Sequence, residues 1–203
     1  MIETVPELEC FLKQLQQVPY IASRHTYRIA HHFLEMEPQR LQQFCAALIA
    51  AHENLIKCPV CFVWQAKNGR CPFCADDRRD QSTICVVETW YDVQAIERTA
   101  GFTGVYHVLG GLICPLDGKG PEDLTIDALL KRTREAGEKK CKEIIFALNQ
   151  TPEGEATMAF IARKSEDVPV RITCLARGMP VGSLLETSDR LTVHKALNER
   201  RPF

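Results

Sequence analysis

The sequence predicts a multi-part α/β protein: a helical N-terminal module, a four-cysteine metal-binding loop, and a mostly parallel sheet flanked by helices. Three observations carry this. Residues 1–56 show only helical periodicity, four cysteines fall into two Cys-x-x-Cys pairs, and from residue 83 short β-branched runs alternate with helical patterns. That alternation implies right-handed βαβ units.

Leu8, Phe11, Leu12 and Leu15 follow the i, i+3, i+4, i+7 spacing of a helix over residues 7–17, with Pro6 suited to its first turn. After a break at Val18-Pro19, a second helix is expected from Ser23, as N-cap, to about Met36, with Ile29, Phe33 and Met36 on one face. A third periodic stretch, Leu41 to Ile56, leads into the first cysteine pair. Strands are predicted over Thr83–Val87, Val105–Leu109, Glu143–Leu148 and Val170–Leu175, and helices over 91–100, 125–136 and 154–165. The glycine-rich connection Gly110 to Pro121 follows a strand, and parallel sheets gather functional loops at the carboxyl ends of their strands.

The 203 residues, 45% hydrophobic and 25% charged with 11 Gly and 11 Pro, have the composition of a globular chain and exclude collagen-like or wholly disordered classes. No apolar run approaches the ~18 residues of a membrane span. Glu3, Glu7 and Glu9 stand where a secretory signal would be basic and then apolar, so a cytoplasmic protein is expected. A net charge of −1 gives no global case for nucleic acid, and any such partner needs a local patch.

Cys58-Pro-Val-Cys61 and Cys71-Pro-Phe-Cys74, separated by nine residues, present four thiolates on two tight turns. That is the donor set of a tetrahedral Zn²⁺ with no position left for water, hence a structural metal, one per chain. A rubredoxin-like iron site is the main competitor, and a redox dithiol explains two such pairs less simply. The remaining six of the ten cysteines, scattered singly, are read as buried thiols.

From Cys10 to Leu34 there is no acidic residue, while Lys13, Arg24 and Arg28 are basic. Arg24 and Arg28 share a helix face near a helix N-terminus, a placement that suits phosphate as well as an ordinary solvated face. Glu88 ends the first predicted strand and Asp92 starts the next helix; two carboxylates at a sheet edge can hold Mg²⁺ for phosphoryl chemistry. No DxD pair follows the 143–148 strand, which favours a structural or partner-binding role for them.

The order of these parts resembles the RecR family of bacterial recombination mediators. The resemblance is carried by Arg78-Arg-Asp80, Ile84-Cys-Val-Val-Glu88, Tyr106-His-Val-Leu-Gly-Gly111, Pro115-Leu-Asp-Gly-Lys-Gly-Pro-Glu-Asp123, Thr151-Pro-Glu-Gly-Glu-Ala-Thr157 and Ala176-Arg-Gly-Met-Pro-Val-Gly182. It implies a helix-hairpin-helix module (1–56), a four-cysteine zinc finger (57–75), a Toprim domain (82–176) and a C-terminal assembly segment (177–203). It further implies a non-enzymatic DNA clamp, a dimer or ring-shaped tetramer. Such a clamp binds single- and double-stranded DNA and acts with RecO or RecF to load RecA in the bacterial cytoplasm, at the nucleoid. Arg24 and Arg28, with Lys13, then fall on the DNA-binding hairpin, and Glu88 and Asp92 on the acidic Toprim positions that engage RecO. The alternative class is a Toprim-type Mg²⁺-dependent nuclease or nucleotidyl-transfer enzyme.

The sequence also departs from the family. Its usual LPGIG hairpin reads Val18-Pro-Tyr-Ile-Ala22, so Tyr20 and Ala22 replace glycines that let backbone N–H groups approach phosphate. The spacer between cysteine pairs is one residue longer than usual, and Lys119 stands where an apolar residue is common.

Overall fold

The computed structural model describes residues 5–134, 141–176, 178, 179 and 182–200. It divides into two compact units, Met1–Leu55 and Ile56–Phe203. The first unit consists of α1 (Pro6–Gln16), α2 (Ser23–Leu34) and α3 (Pro38–Asn54), with proline in the first turn of α1 and α3, where its missing N–H costs nothing. Leu12 and Leu15 of α1 pack on Ala30 of α2, and Leu8, Phe11 and Ile29 flank them.

Ser23 lies inside α2, and the extended residue ahead of it is Ala22, whose carbonyl takes the first bond, from His25 N–H at 2.7 Å. The helix ends at Leu34, before Met36, because Pro38 forces the residue before it, Glu37, into extended geometry (φ −54°, ψ 136°). α3 buries none of its residues and exposes Phe44, Leu48 and Ile49. Its periodicity forecast a packed face; Phe44 meets the Phe33 ring of α2 at 5.1 Å, and Leu48 and Ile49 stay exposed.

The third helix was expected to run to Ile56, but Leu55–Lys57 form strand β1, paired with β2 (Trp64–Ala66). The second unit then runs β3 (Asp80–Val87), α4 (Trp90–Glu97), β4 (Gly104–Val108), α5 (Ile126–Arg134), β5 (Glu143–Ala147), α6 (Pro152–Lys164), β6 (Arg171–Cys174) and α7 (Arg190–Asn198). The sheet order is β4-β3-β5-β6 with every pairing parallel, as the βαβ reading requires. Residues 135 and 136 of the expected fifth helix, and residues 177, 180, 181 and 201–203 of the expected assembly segment, lie outside the described residues.

Period-two alternation divides the sheet into two faces. Ile84, Val86, Ile144 and Phe146 meet Leu129 of α5 and Ile161 of α6. Cys85, Val87, Tyr106 and Val108 point the other way, onto Val93 of α4 and onto Cys58, Cys61, Val63, Cys71 and Phe73. The cysteine loop is thus one wall of the sheet's core. Of the six scattered cysteines, Cys85 and Cys141 are buried and Cys114 half-buried, but Cys10, Cys45 and Cys174 are exposed, contrary to the expectation of buried thiols. Cys10 and Cys45 sit on solvent-facing positions of α1 and α3, and Cys174 ends an edge strand. No helix among the described residues is long and apolar enough to cross a membrane.

Arg79 fastens the cysteine loop to the sheet. Its guanidinium donates to Glu97 Oε1 and Oε2 (3.0 and 2.6 Å) and to the Gly104 carbonyl, and lies 4.9 Å from the Phe73 ring centre. Tyr106 Oη donates to the same Glu97 at 2.6 Å. Burial alone would push Glu97 up, but the bonds from Arg79 and Tyr106 outweigh it and hold the carboxyl below its ordinary 4.5. A depressed carboxyl stabilises the fold above its unfolded value, and that contribution is lost as pH falls through the folded one. Arg79→Met is therefore expected to cost about 2 kcal/mol at neutral pH. The gap from wild type should narrow on acidification below about pH 4, as urea unfolding at several pH values would measure.

Candidate functional site

The four cysteines of the loop converge. Tight turns place them: Phe62 N–H returns to the Cys58 carbonyl (3.0 Å), Cys58 N–H bonds the Val63 carbonyl (2.8 Å), and Phe62 takes a positive φ of 61°. All four sulfurs lie within 4.8 Å of one another, with Cys58–Cys74 and Cys61–Cys71 each at 3.4 Å. These separations are too long for disulfides, which need about 2.05 Å. They bracket the ~3.8 Å between sulfurs of a tetrahedral thiolate site with ~2.3 Å metal–sulfur bonds. Hydrogen bonds from Cys61 and Cys74 hold the Cys71 thiol below its ordinary range, whereas Cys61 is pushed up by its bonds to Cys71 and Cys74 together with burial. The cluster can hold a metal ion, and no other group of three or more His, Cys, Asp or Glu among the described residues is close enough to do so.

Glu88 and Asp92 follow β3 at the carboxyl end of the sheet, but the structure gives them different work. Asp92 Oδ2 accepts the Thr89 N–H (2.8 Å) and hydroxyl (2.6 Å), making it part of the capping box of α4. Glu88 faces a pocket of about 360 Å³ also lined by Asp117, Lys119, Asn149, Thr151 and Glu153, and Asp92 does not line it. Asn149 Nδ2 donates to Glu88 Oε2 at 2.8 Å. The 110–121 loop closes one side of that pocket, starting from Gly110, whose N–H bonds the Glu88 carbonyl (2.9 Å) at φ +87°, a conformation that suits glycine. Sequence reading missed Asn149 as the partner of Glu88; its only signal was its place after β5, level with Glu88 after β3.

On the first unit, Arg24 and Arg28 are both exposed on α2, one turn apart. Arg24 Nε donates to His25 Nε2 (3.2 Å), and Arg28 has no ion pair among the described residues. Lys13, also exposed, is different: it pairs with Glu9 at 2.8 Å, one turn back on α1 and just outside the acid-free stretch. Its charge is therefore largely balanced. At the α1–α2 turn, Tyr20 keeps a left-handed backbone (φ 67°), which costs a residue with a side chain roughly 1–2 kcal/mol. Ala22, the other replaced glycine, is extended (φ −63°, ψ 140°) and unstrained.

The Toprim domain model matches residues 82–176. The Recombination protein RecR of Rubrobacter xylanophilus is 42% identical over 194 residues, covering 96% of each chain. That of Porphyromonas gingivalis is 39% identical over 205 residues, covering 100% of this chain and 97% of its own. That of Treponema denticola is 39% identical over 196 residues, covering 97% and 98%. Identity at this level along the full length, on a fold with the four-cysteine cluster and a parallel Toprim sheet, places the chain in the RecR family of recombination proteins.

Proposed function

We propose that the chain is a non-enzymatic DNA-binding recombination mediator of the bacterial cytoplasm and nucleoid. It assembles as a dimer or tetrameric ring around DNA and works with RecO or RecF to load RecA on single strands. The observation that carries this is the pair Arg24 and Arg28, both exposed within a stretch from Cys10 to Leu34 that holds no Asp or Glu, in a chain whose relatives are recombination proteins. Near-zero net charge makes such a concentrated patch necessary, and assembly multiplies it. The exposed apolar residues Phe44, Leu48 and Ile49 of α3 offer a second copy of the chain a surface to cover.

The four-cysteine cluster holds Zn²⁺ in this reading. Four sulfurs close the coordination sphere, so the metal is structural, and residues 58–74 hold the sheet's α4 face together through it. Glu88 and Asp92 are the acidic Toprim positions that engage RecO, with Asp92 also capping the start of α4. Support for a non-enzymatic role lies in the engagement of both carboxylates, Glu88 by Asn149 and Asp92 by Thr89. The boundaries 1–56, 57–75, 82–176 and 177–203 serve as working domains, with the last used in assembly.

A salt-dependent DNA titration tests the proposal, with oligomer mass measured in the same buffer. Arg24→Ala with Arg28→Ala should weaken binding and reduce the slope of log K against log salt by about 0.9 for each duplex phosphate left without its arginine. Unchanged affinity and slope would move the interface elsewhere. In the same buffer with Mg²⁺ or Mn²⁺, labelled DNA should remain intact; cleavage abolished by Glu88→Ala would favour the enzyme class instead.

A further inference from the structure

The basic face of the first unit also carries aromatic side chains that phosphate binding does not use. Tyr20 is 100% exposed and Tyr27 68% exposed. On α2, Arg24, Tyr27, Arg28 and His31 fall within about 100° of helix arc, opposite the buried Thr26 and Ala30. Tyr20 stands at the turn leading into that helix, with its backbone in a left-handed conformation that L side chains disfavour. A strained, fully solvated aromatic gains nothing from the fold: it buries no area and appears in no ring contact among the described residues. Burial cannot account for a tyrosine there, whereas a ligand presenting an apolar flat face can.

We infer that Tyr20 and Tyr27 are stacking platforms for unpaired bases, and that with Arg24 and Arg28 they make this face a single-strand-selective DNA contact. The inference rests on the proposed function for the identity of the ligand. The chemistry is that of sequence-tolerant single-strand binders: cationic side chains track the backbone while aromatic rings take successive bases, whose faces are covered in a duplex. The absence of Asp and Glu between Cys10 and Leu34 supplies the charge complementarity. Tyr20 reaches out at the turn, so its side chain compensates for the backbone approach that glycine would have allowed.

The test uses the full-length protein, a short oligothymidylate and its duplex with oligoadenylate, with 5-iodouracil placed in the single strand for photo-crosslinking. Tyr20→Ala is expected to weaken single-strand binding about tenfold and duplex binding less than about twofold, and Tyr20→Phe to restore it. Tyr20→Gly is the sharper variant: it relieves the positive φ, so the thermal midpoint should hold or rise while single-strand affinity still falls. Crosslinks should map to Tyr20 or Tyr27. If Arg24→Ala with Arg28→Ala weakens both DNA forms but the tyrosine variants leave the single-strand preference unchanged, the stacking inference is wrong and the DNA-binding reading stands. If the arginine pair changes neither form, the DNA-binding reading itself fails, and the inference with it.

Discussion

Cys61→Ser is expected to abolish stoichiometric metal binding and to unfold most of the second unit at 37 °C. Cys61 is fully buried, its carbonyl accepts the Val108 N–H at 2.9 Å, and its sulfur faces that of Cys71. Structural zinc supplies apparent binding free energies of about 10–16 kcal/mol, comparable to the whole stability of a domain at about 5–15 kcal/mol. Because Cys58, Cys61 and Cys71 share a core with Val87, Val93 and Tyr106, the damage reaches the sheet. Chelation should act like the mutation, while exposed Cys10→Ser should change stability by less than about 0.5 kcal/mol. Elemental analysis with thermal unfolding checks all three, one zinc per chain being the expected content. Iron with a rubredoxin-like spectrum would overturn the metal assignment.

Gly154→Ala should be nearly as harmful for a different reason. Gly154 is buried in the first turn of α6, and a Cβ there would fall on the Asn149 carbonyl oxygen, far inside contact distance. A backbone carbonyl cannot swing aside as a flexible side chain can. The helix start must shift, weakening the Thr151 cap, whose Oγ1 accepts Gly154 N–H at 3.2 Å, and pulling Asn149 from Glu88. Overpacking and a broken cap together should cost about 3 kcal/mol or more, a fall in thermal midpoint of about 6–12 °C for a chain of this size. If Glu88 is the RecO contact, Gly154→Ala should also weaken RecO binding towards the level of Glu88→Ala, as surface-immobilised RecO would measure.

Much of this architecture was legible in the sequence. Buried parallel strands are short β-branched runs between helices, and β3 to β6 fell within a few residues of their forecast positions. The Cys-x-x-Cys pairs declared a metal cluster because their chemistry is local. Their role as a wall of the sheet's core was not legible, since it depends on which face Cys85 and Tyr106 turn to the loop. β1 was hidden because Leu55 and Ile56 continue the helical spacing of α3, and three residues carry no period of their own. Glu88 and Asp92 are four apart in sequence, but only the strand-to-helix turn shows their different neighbours: Asp92 folds back on Thr89 and Glu88 meets Asn149. The ion pair of Lys13 with Glu9 was not legible because Glu9 lies one residue outside the acid-free stretch. The glycine replacements were visible, but only the backbone revealed that Tyr20 preserves the left-handed turn while Ala22 does not need one.

The most direct measurement of the central claim is RecA filament formation on single-stranded DNA already coated with single-strand binding protein, followed in real time with RecO or RecF present. Adding the wild-type chain should shorten the lag. The Arg24→Ala, Arg28→Ala chain, folded and carrying its metal, should leave the lag as long as with no addition. A wild-type chain that does not shorten the lag with either partner, or an arginine variant as effective as wild type, would contradict it.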